Sequence, residues 1–124
     1  MESALAIVNR FLELTNHEKN LKGVAALLAD NITFIGPLMR TTGAKAYLSL
    51  LEQFLPCHLE TRIIRQFENG NDVCSINELL LKTPQNTTIT LVMAEWFRLE
   101  RGKIAEHRVY YDPREFAGAF GLSK

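Results

Sequence analysis

The chain has 124 residues, 14 Lys+Arg against 14 Asp+Glu and a formal net charge of zero with its three His neutral. A chain of this size buries roughly two thirds of the surface its unfolded form exposes, so a single domain over 1–124 is expected without disulfide or metal staples. Balanced charge speaks against nucleic acid as a partner, and 47% hydrophobic with 23% charged residues is a soluble globular composition rather than a disordered, fibrous or membrane one.

From Ala4, apolar residues recur at helical offsets, with Ala4, Ile7, Val8, Phe11 and Thr15 on one side and Glu2, Asn9, Arg10 and Glu13 on the other. The run from Ala4 to Val8 follows Glu2 rather than a basic stretch, so it reads as the start of an amphipathic helix and not as a signal peptide, in a cytoplasmic protein. After a cap at Asn20, Leu21, Val24, Ala25 and Leu28 predict a shorter second helix. Asn31–Ile35 turns β-branched and aromatic, predicting one strand that Gly36-Pro37 stops. Ala44, Tyr47, Leu48, Leu51, Phe54 and Leu55 predict a third helix, ended by Pro56.

From Cys57 the helical period disappears, and three turn signals cut the remainder into four extended runs. Asn69-Gly70 supplies the two positive φ angles of a tight hairpin. Pro84-Gln85-Asn86 is the second turn, and Glu100-Arg101-Gly102 reads as a type I turn with Gly102 in a left-handed bulge. Strands of about a dozen residues joined by hairpins predict an antiparallel meander, twisted enough to have a concave side. The longest apolar runs, such as Leu79–Leu81, are far short of the ~18 residues that cross a bilayer, so no membrane contact is expected. Cys57 and Cys74 have no metal spacing and fall far apart in their hairpin, predicting free thiols. Asp112-Pro113-Arg114-Glu115 offers a cap, a proline at the first helical position and a glutamate three after the cap, opening a short helix through Phe116 and Phe120 to a stop at Gly121.

Three helices with one inserted strand, then a four-strand meander, resembles the nuclear-transport-factor-2-like (NTF2-like, SnoaL-like) α+β fold. Trp96-Phe97-Arg98-Leu99-Glu100-Arg101-Gly102-Lys103-Ile104 running into His107-Arg108-Val109-Tyr110-Tyr111-Asp112, then Arg114-Glu115-Phe116, looks very like the last hairpin of limonene-epoxide-hydrolase and polyketide-cyclase relatives. The resemblance implies a cone-like curved antiparallel sheet packed against three N-terminal helices, with a short C-terminal helix. It implies a concave pocket for a small, mostly apolar molecule and a homodimer through the convex face, where Trp96 and Tyr110 would lie. Its catalytic groups carry over only in part. The acid on the last strand of hydrolase and cyclase relatives falls at Val109. The hydrolase Arg-Asp pair falls on Ile76 and Glu78, or on Asn77 and Leu79 in the other register. The helix-1 tyrosine of ketosteroid isomerase falls at Phe11 and its general base at Gly36, while its acid on the penultimate strand matches Glu95. Neither ketosteroid isomerisation nor limonene-epoxide opening is therefore expected.

Ile89, Leu91 and Met93 alternate as an inward row, and Glu95 continues it. With a bulge at Gly102, Glu95 would oppose His107, Met93 would oppose Val109 and Leu91 would oppose Tyr111. With a two-residue loop, Trp96 would oppose His107 instead. In the first register the wall is apolar apart from Glu95 and His107, which read either as catalytic acid–base apparatus or as a satisfied structural ion pair. Leu91, Met93, Val109 and Tyr111 would contact the ligand, as would Phe11, Phe34, Tyr47, Asn77 and Phe116. Asp112 reads as a helix cap, and Arg98, Arg108 and Glu106 as charge pairs on the opposite row. His17 and His58 stand outside any ligand-like spacing, and neither metal nor cofactor is expected. Two functions lead, an acid–base enzyme of isomerase, hydrolase or cyclase type and a non-catalytic binding or dimerisation module, while a protein-recruiting domain, as in transport-factor relatives, has no distinguishing surface signal.

Overall fold

A computed structural model describes residues 2–122. In chain order it contains α1 (Ala4–Glu13), α2 (Leu21–Ala25), β1 (Leu28–Ile35), β2 (Arg40–Thr42), α3 (Ala44–Phe54), β3 (His58–Asn69), β4 (Asp72–Lys82), β5 (Thr88–Glu100), β6 (Lys103–Tyr110) and α4 (Arg114–Ala119). The strands form one sheet in the order β2-β1-β6-β5-β4-β3. β3 to β6 are the antiparallel meander, but β1 runs parallel to β6, so the curved sheet is mixed rather than antiparallel throughout. No helix among the described residues is long and apolar enough to cross a membrane.

Ser3 caps α1 by accepting from the Ala6 N–H at 3.1 Å, and Ile7, Val8, Phe11 and Leu12 bury its apolar face. The helix then widens into a π-helical turn, Leu14–Glu18, closed by Lys19 in a left-handed conformation at φ 51°. Asn20 caps α2 through Gly23 N–H at 2.9 Å. α2 ends at Ala25, because Leu28 is already a strand residue paired with Ile104. The three polar residues of β2 carry no alternation that would announce it, and it pairs at the edge of β1. At the other end Asp112 accepts from Arg114 N–H at 3.1 Å and starts α4. Hydrogen bonds from the Arg114 guanidinium, and secondarily from its N–H, hold the Asp112 carboxyl down at about 2.

Two hairpin turns depart from expectation. Asn69 is the last paired residue of β3, opposite Asp72, so the turn is Gly70-Asn71 and only Gly70 has positive φ. Glu100 pairs with Lys103, leaving a two-residue loop in which Arg101 (φ 52°) and Gly102 (φ 77°) are both left-handed. Cys74 lies opposite Phe67, and both cysteines are free thiols.

The sheet owes its curvature to irregularities that the turns do not supply. Leu99 pairs with Ile104 but Arg98 with Glu106, so Ala105 is an extra residue in β6. The β3–β4 ladder shifts at Leu59 and again at Ile64. Each bulge restores an inward side chain that strict alternation would have turned outward. The inward faces form two apolar clusters. One joins Val8, Phe11, Val24, Ile32, Phe97 and Ile104 under α1 and α3. The other gathers Leu79, Leu81, Ile89, Leu91, Met93 and Val109 near α4.

Candidate active site

Glu95 follows Met93 on the inward row of β5 and precedes Phe97, so it sits where the two apolar clusters meet. Its direct partner across β6 is Val109, and that of His107 is Phe97. The direct opposition of Glu95 and His107 is thereby corrected, and so are those of Met93 with Val109 and Leu91 with Tyr111. The bulge lies at Ala105, not at Gly102. Glu95 and His107 nevertheless meet diagonally, with His107 Nε2 2.8 Å from Glu95 Oε1. They are 6% and 5% exposed.

A string of hydrogen bonds fixes both groups. Gln66 Nε2 donates to Ser75 Oγ at 3.1 Å, Ser75 Oγ to Asn77 Oδ1 at 2.8 Å, and Asn77 Nδ2 to Glu95 Oε2 at 2.7 Å. With both oxygens of the Glu95 carboxylate accepting, His107 carries its hydrogen on Nε2. In the neutral imidazole Nδ1 is then an acceptor, and the Tyr47 hydroxyl, 2.8 Å away, donates to it. Burial, and secondarily the Glu95 charge, push the Tyr47 phenol well above its ordinary pKa. Tyr47 reaches this point as the one buried residue of α3.

These groups lie on the wall of a cavity of about 350 Å³ between the concave sheet, α3 and α4. Phe11, Phe34, Tyr47, Leu91 and Met93 line it, as do Val109, Tyr111 and Phe116. Asn77, read as a ligand contact, is wholly buried and acts from behind the wall as the donor that holds Glu95. His58, read as isolated, is 4% exposed, lines the same cavity and is bonded to Lys19 and Thr61. Nothing in the sequence spacing signals that contact, since Lys19 closes the π-helical turn and His58 is the first residue of β3. Arg98, Glu106 and Arg108 pair with one another on the convex side. Among the described residues no three His, Cys, Asp or Glu side chains are placed to hold a metal ion.

The model of the SnoaL-like domain family matches residues 8–107. The chain belongs to the SnoaL-like domain family. Solved structures share the fold along nearly its whole length. An NTF2-like protein from Cytophaga hutchinsonii ATCC 33406 is 27% identical, with a TM-score of 0.81 over 94% of this chain and 96% of that one. An LEH-like epoxide hydrolase from M. tuberculosis is 22% identical, with a TM-score of 0.77 over 94% and 88%. A protein with a ketosteroid isomerase-like fold from Catenulispora acidiphila DSM 44928, in complex with trimethylamine, is 18% identical, with a TM-score of 0.76 over 94% and 93%. No curated protein matches the sequence.

Within this SnoaL-like domain, the two positions that resemblance marks as lacking an acid adjoin each other. A Cβ built on Gly36 would come within 3.0 Å of Val109 Cγ2, and both residues line the cavity. That end of the wall is apolar, and Glu95, His107 and Tyr47 line the same cavity beyond it.

Proposed function

We propose that this SnoaL-like domain binds a small, mostly apolar molecule in its concave cavity and that Glu95, His107 and Tyr47 move a proton on it. The observation that carries this reading is the carboxylate–imidazole–phenol string on the wall of an otherwise apolar cavity. A bound molecule presenting an acidic hydrogen to the Tyr47 oxygen transfers it there as the Tyr47 hydrogen passes to His107 Nδ1. The imidazolium so formed keeps its Nε2–H on the Glu95 carboxylate. Reversal at a neighbouring atom of the molecule returns the proton, which makes the net reaction an isomerisation or a proton-assisted ring closure. The high phenol pKa keeps phenolate from accumulating, so Tyr47 conducts the proton rather than storing charge.

One observation favours the rival reading, a binding module without chemistry: each polar side-chain atom of Glu95 and His107 already has a partner inside the protein. Deuterium incorporation from D2O into a panel of aryl ketones and 1,3-diketones, followed by NMR, separates the two. The proton-transfer reading requires wild-type exchange above buffer for at least one compound, lowered about 10²–10⁴-fold by Glu95→Gln. Binding of the panel without exchange assigns the module.

We further propose a homodimer through the convex face. Phe67, Val92, Trp96 and Tyr110 remain 54%, 56%, 38% and 52% exposed, with Trp96 anchored by its indole N–H to Asp72 at 2.9 Å. Exposed aromatic area on a sheet face of this kind is characteristic of interfaces.

A further inference from the structure

We propose that Lys19, His58 and Thr61 form a second polar pole of the cavity, which binds a carbonyl oxygen of the ligand remote from Tyr47. The inference rests on the reading of the cavity as a ligand site and adds what the ligand must carry.

Donor and acceptor roles follow by elimination. Lys19 Nζ lies 2.7 Å from His58 Nδ1 and 3.2 Å from the His58 carbonyl oxygen, and an ammonium can only donate. Nδ1 is therefore an acceptor and His58 is neutral, with its hydrogen on Nε2. That hydrogen is donated to Thr61 Oγ1 at 2.7 Å. Thr61 Oγ1 thus accepts, and its own hydroxyl hydrogen has no acceptor among the described residues. Thr61 and His58 both line the cavity. The result is a one-way chain of donors, ammonium to imidazole to hydroxyl, ending at the cavity. Each bond polarises the next, so the terminal hydroxyl is a stronger donor than a solitary threonine.

Burial, then the neighbouring Lys19 cation, lower the His58 pKa to about 4, so this arrangement holds across the neutral range. The backbone is shaped to the same end. The irregularity at Leu59 sets His58 and Thr61 on one face although they are three residues apart. Lys19 occupies a left-handed conformation at the end of a π-helical turn, and Thr15 and Asn16 of that turn also line the cavity. Both features are uncommon and cluster at functional sites.

The two poles are offset along the sheet. Thr61 is level with Leu79 on β4 and Leu91 on β5, four residues along the strand from Glu95, or roughly 13 Å. Apolar residues fill the interval, Leu91 and Met93 among them. A molecule that engages both poles has an apolar body, a carbonyl oxygen at one end and the proton-yielding group toward the other.

A matched pair of probes tests this. 2-Acetylnaphthalene and 2-isopropenylnaphthalene have the same shape and differ in carrying C=O or C=CH2. Isothermal titration should show wild-type protein preferring the ketone by about tenfold, one hydrogen bond's worth. Thr61→Val should abolish the preference, Thr61→Ser should keep it, and Lys19→Met should reduce it about threefold. Preference surviving in Thr61→Val overturns the proposal, and its loss in Tyr47→Phe instead assigns the carbonyl to the other pole. A wild-type preference in Lys19→Met overturns the charged chain. Equal affinity for both probes in wild type removes the second pole but keeps the cavity reading, whereas binding of neither removes both.

Discussion

The His107 imidazole lies flat on the Phe97 ring, with centroids 4.2 Å apart and planes 13° apart, and the two residues are direct partners across β6 and β5. Stacking fixes the plane of the imidazole, so its two nitrogens point sideways, one to Glu95 and one to Tyr47. Phe97→Leu keeps the site apolar but removes the flat support. Urea unfolding should show a loss of about 1–3 kcal/mol. If proton transfer depends on the aim of the ring, deuterium exchange should fall by more than stability alone explains, and unchanged exchange would show that Glu95 and Tyr47 suffice to orient it.

The Ala105 bulge separates two registers of the β5–β6 ladder. Between the turn and the bulge Leu99 pairs with Ile104, and beyond it Phe97 pairs with His107. Deleting Ala105 removes the extra residue, so that Arg98 still pairs with Glu106 and Phe97 with His107 in an unbulged ladder, and His107 stays on the concave side. The deletion loses the local bend of β6 and should cost roughly 1–3 kcal/mol while retaining the fold and naphthalene binding, as should Ala105→Gly at a smaller cost. A deletion variant that folds but no longer binds would show that the cavity needs the bend of the bulge as well as the inward aim of His107.

The helices and the four long strands were legible because periodicity reports burial, and α1, α3 and the alternating row from Ile89 through Met93 to Glu95 are buried on one side only. The contact of Glu95 with His107 was also legible, but through a register that the structure corrects. The bulges at Leu59, Ile64 and Ala105 involve no glycine or proline, so no residue type marks them, and they show only as shifts in pairing. The open choice on β4 resolves to Asn77 inward, paired with Met93, and behind the cavity wall rather than on it. The bonds of Tyr47 to His107 and of Lys19 to His58 join residues 60 and 39 positions apart, and such contacts leave no trace in local pattern.

Stability should depend on His58 in acid. Its folded pKa of about 4 lies below the ordinary 6.5, so between these values the unfolded chain binds more protons and stability falls as pH falls. The contribution is fully present above about pH 6.5 and lost as pH drops toward 4. Between pH 7 and 4.5, wild-type protein should lose roughly 1–2 kcal/mol more than His58→Asn in urea unfolding, allowing for solvent screening. Lys19→Met removes the neighbouring cation and should make the wild-type slope shallower. Equal acid losses in wild type and His58→Asn would contradict a neutral, buried His58.

The convex face offers a separate test. Sedimentation equilibrium at micromolar concentration should give a mass of two chains, and Trp96→Glu, which places a charge among Phe67, Val92 and Tyr110, should give one. A wild-type mass of one chain would leave that face without a partner copy.

The proton-transfer account depends most directly on where His107 carries its hydrogen. The ¹⁵N shifts of His107, identified by their loss in His107→Gln, report this in solution. The geometry predicts a hydrogen on Nε2, facing Glu95, and a bare Nδ1 accepting from Tyr47. In Glu95→Gln the new amide accepts from Asn77 and donates to Nε2, so the hydrogen should move to Nδ1 while the fold is kept. A wild-type hydrogen already on Nδ1, or a pattern unmoved by Glu95→Gln, would contradict the carboxylate–imidazole–phenol string.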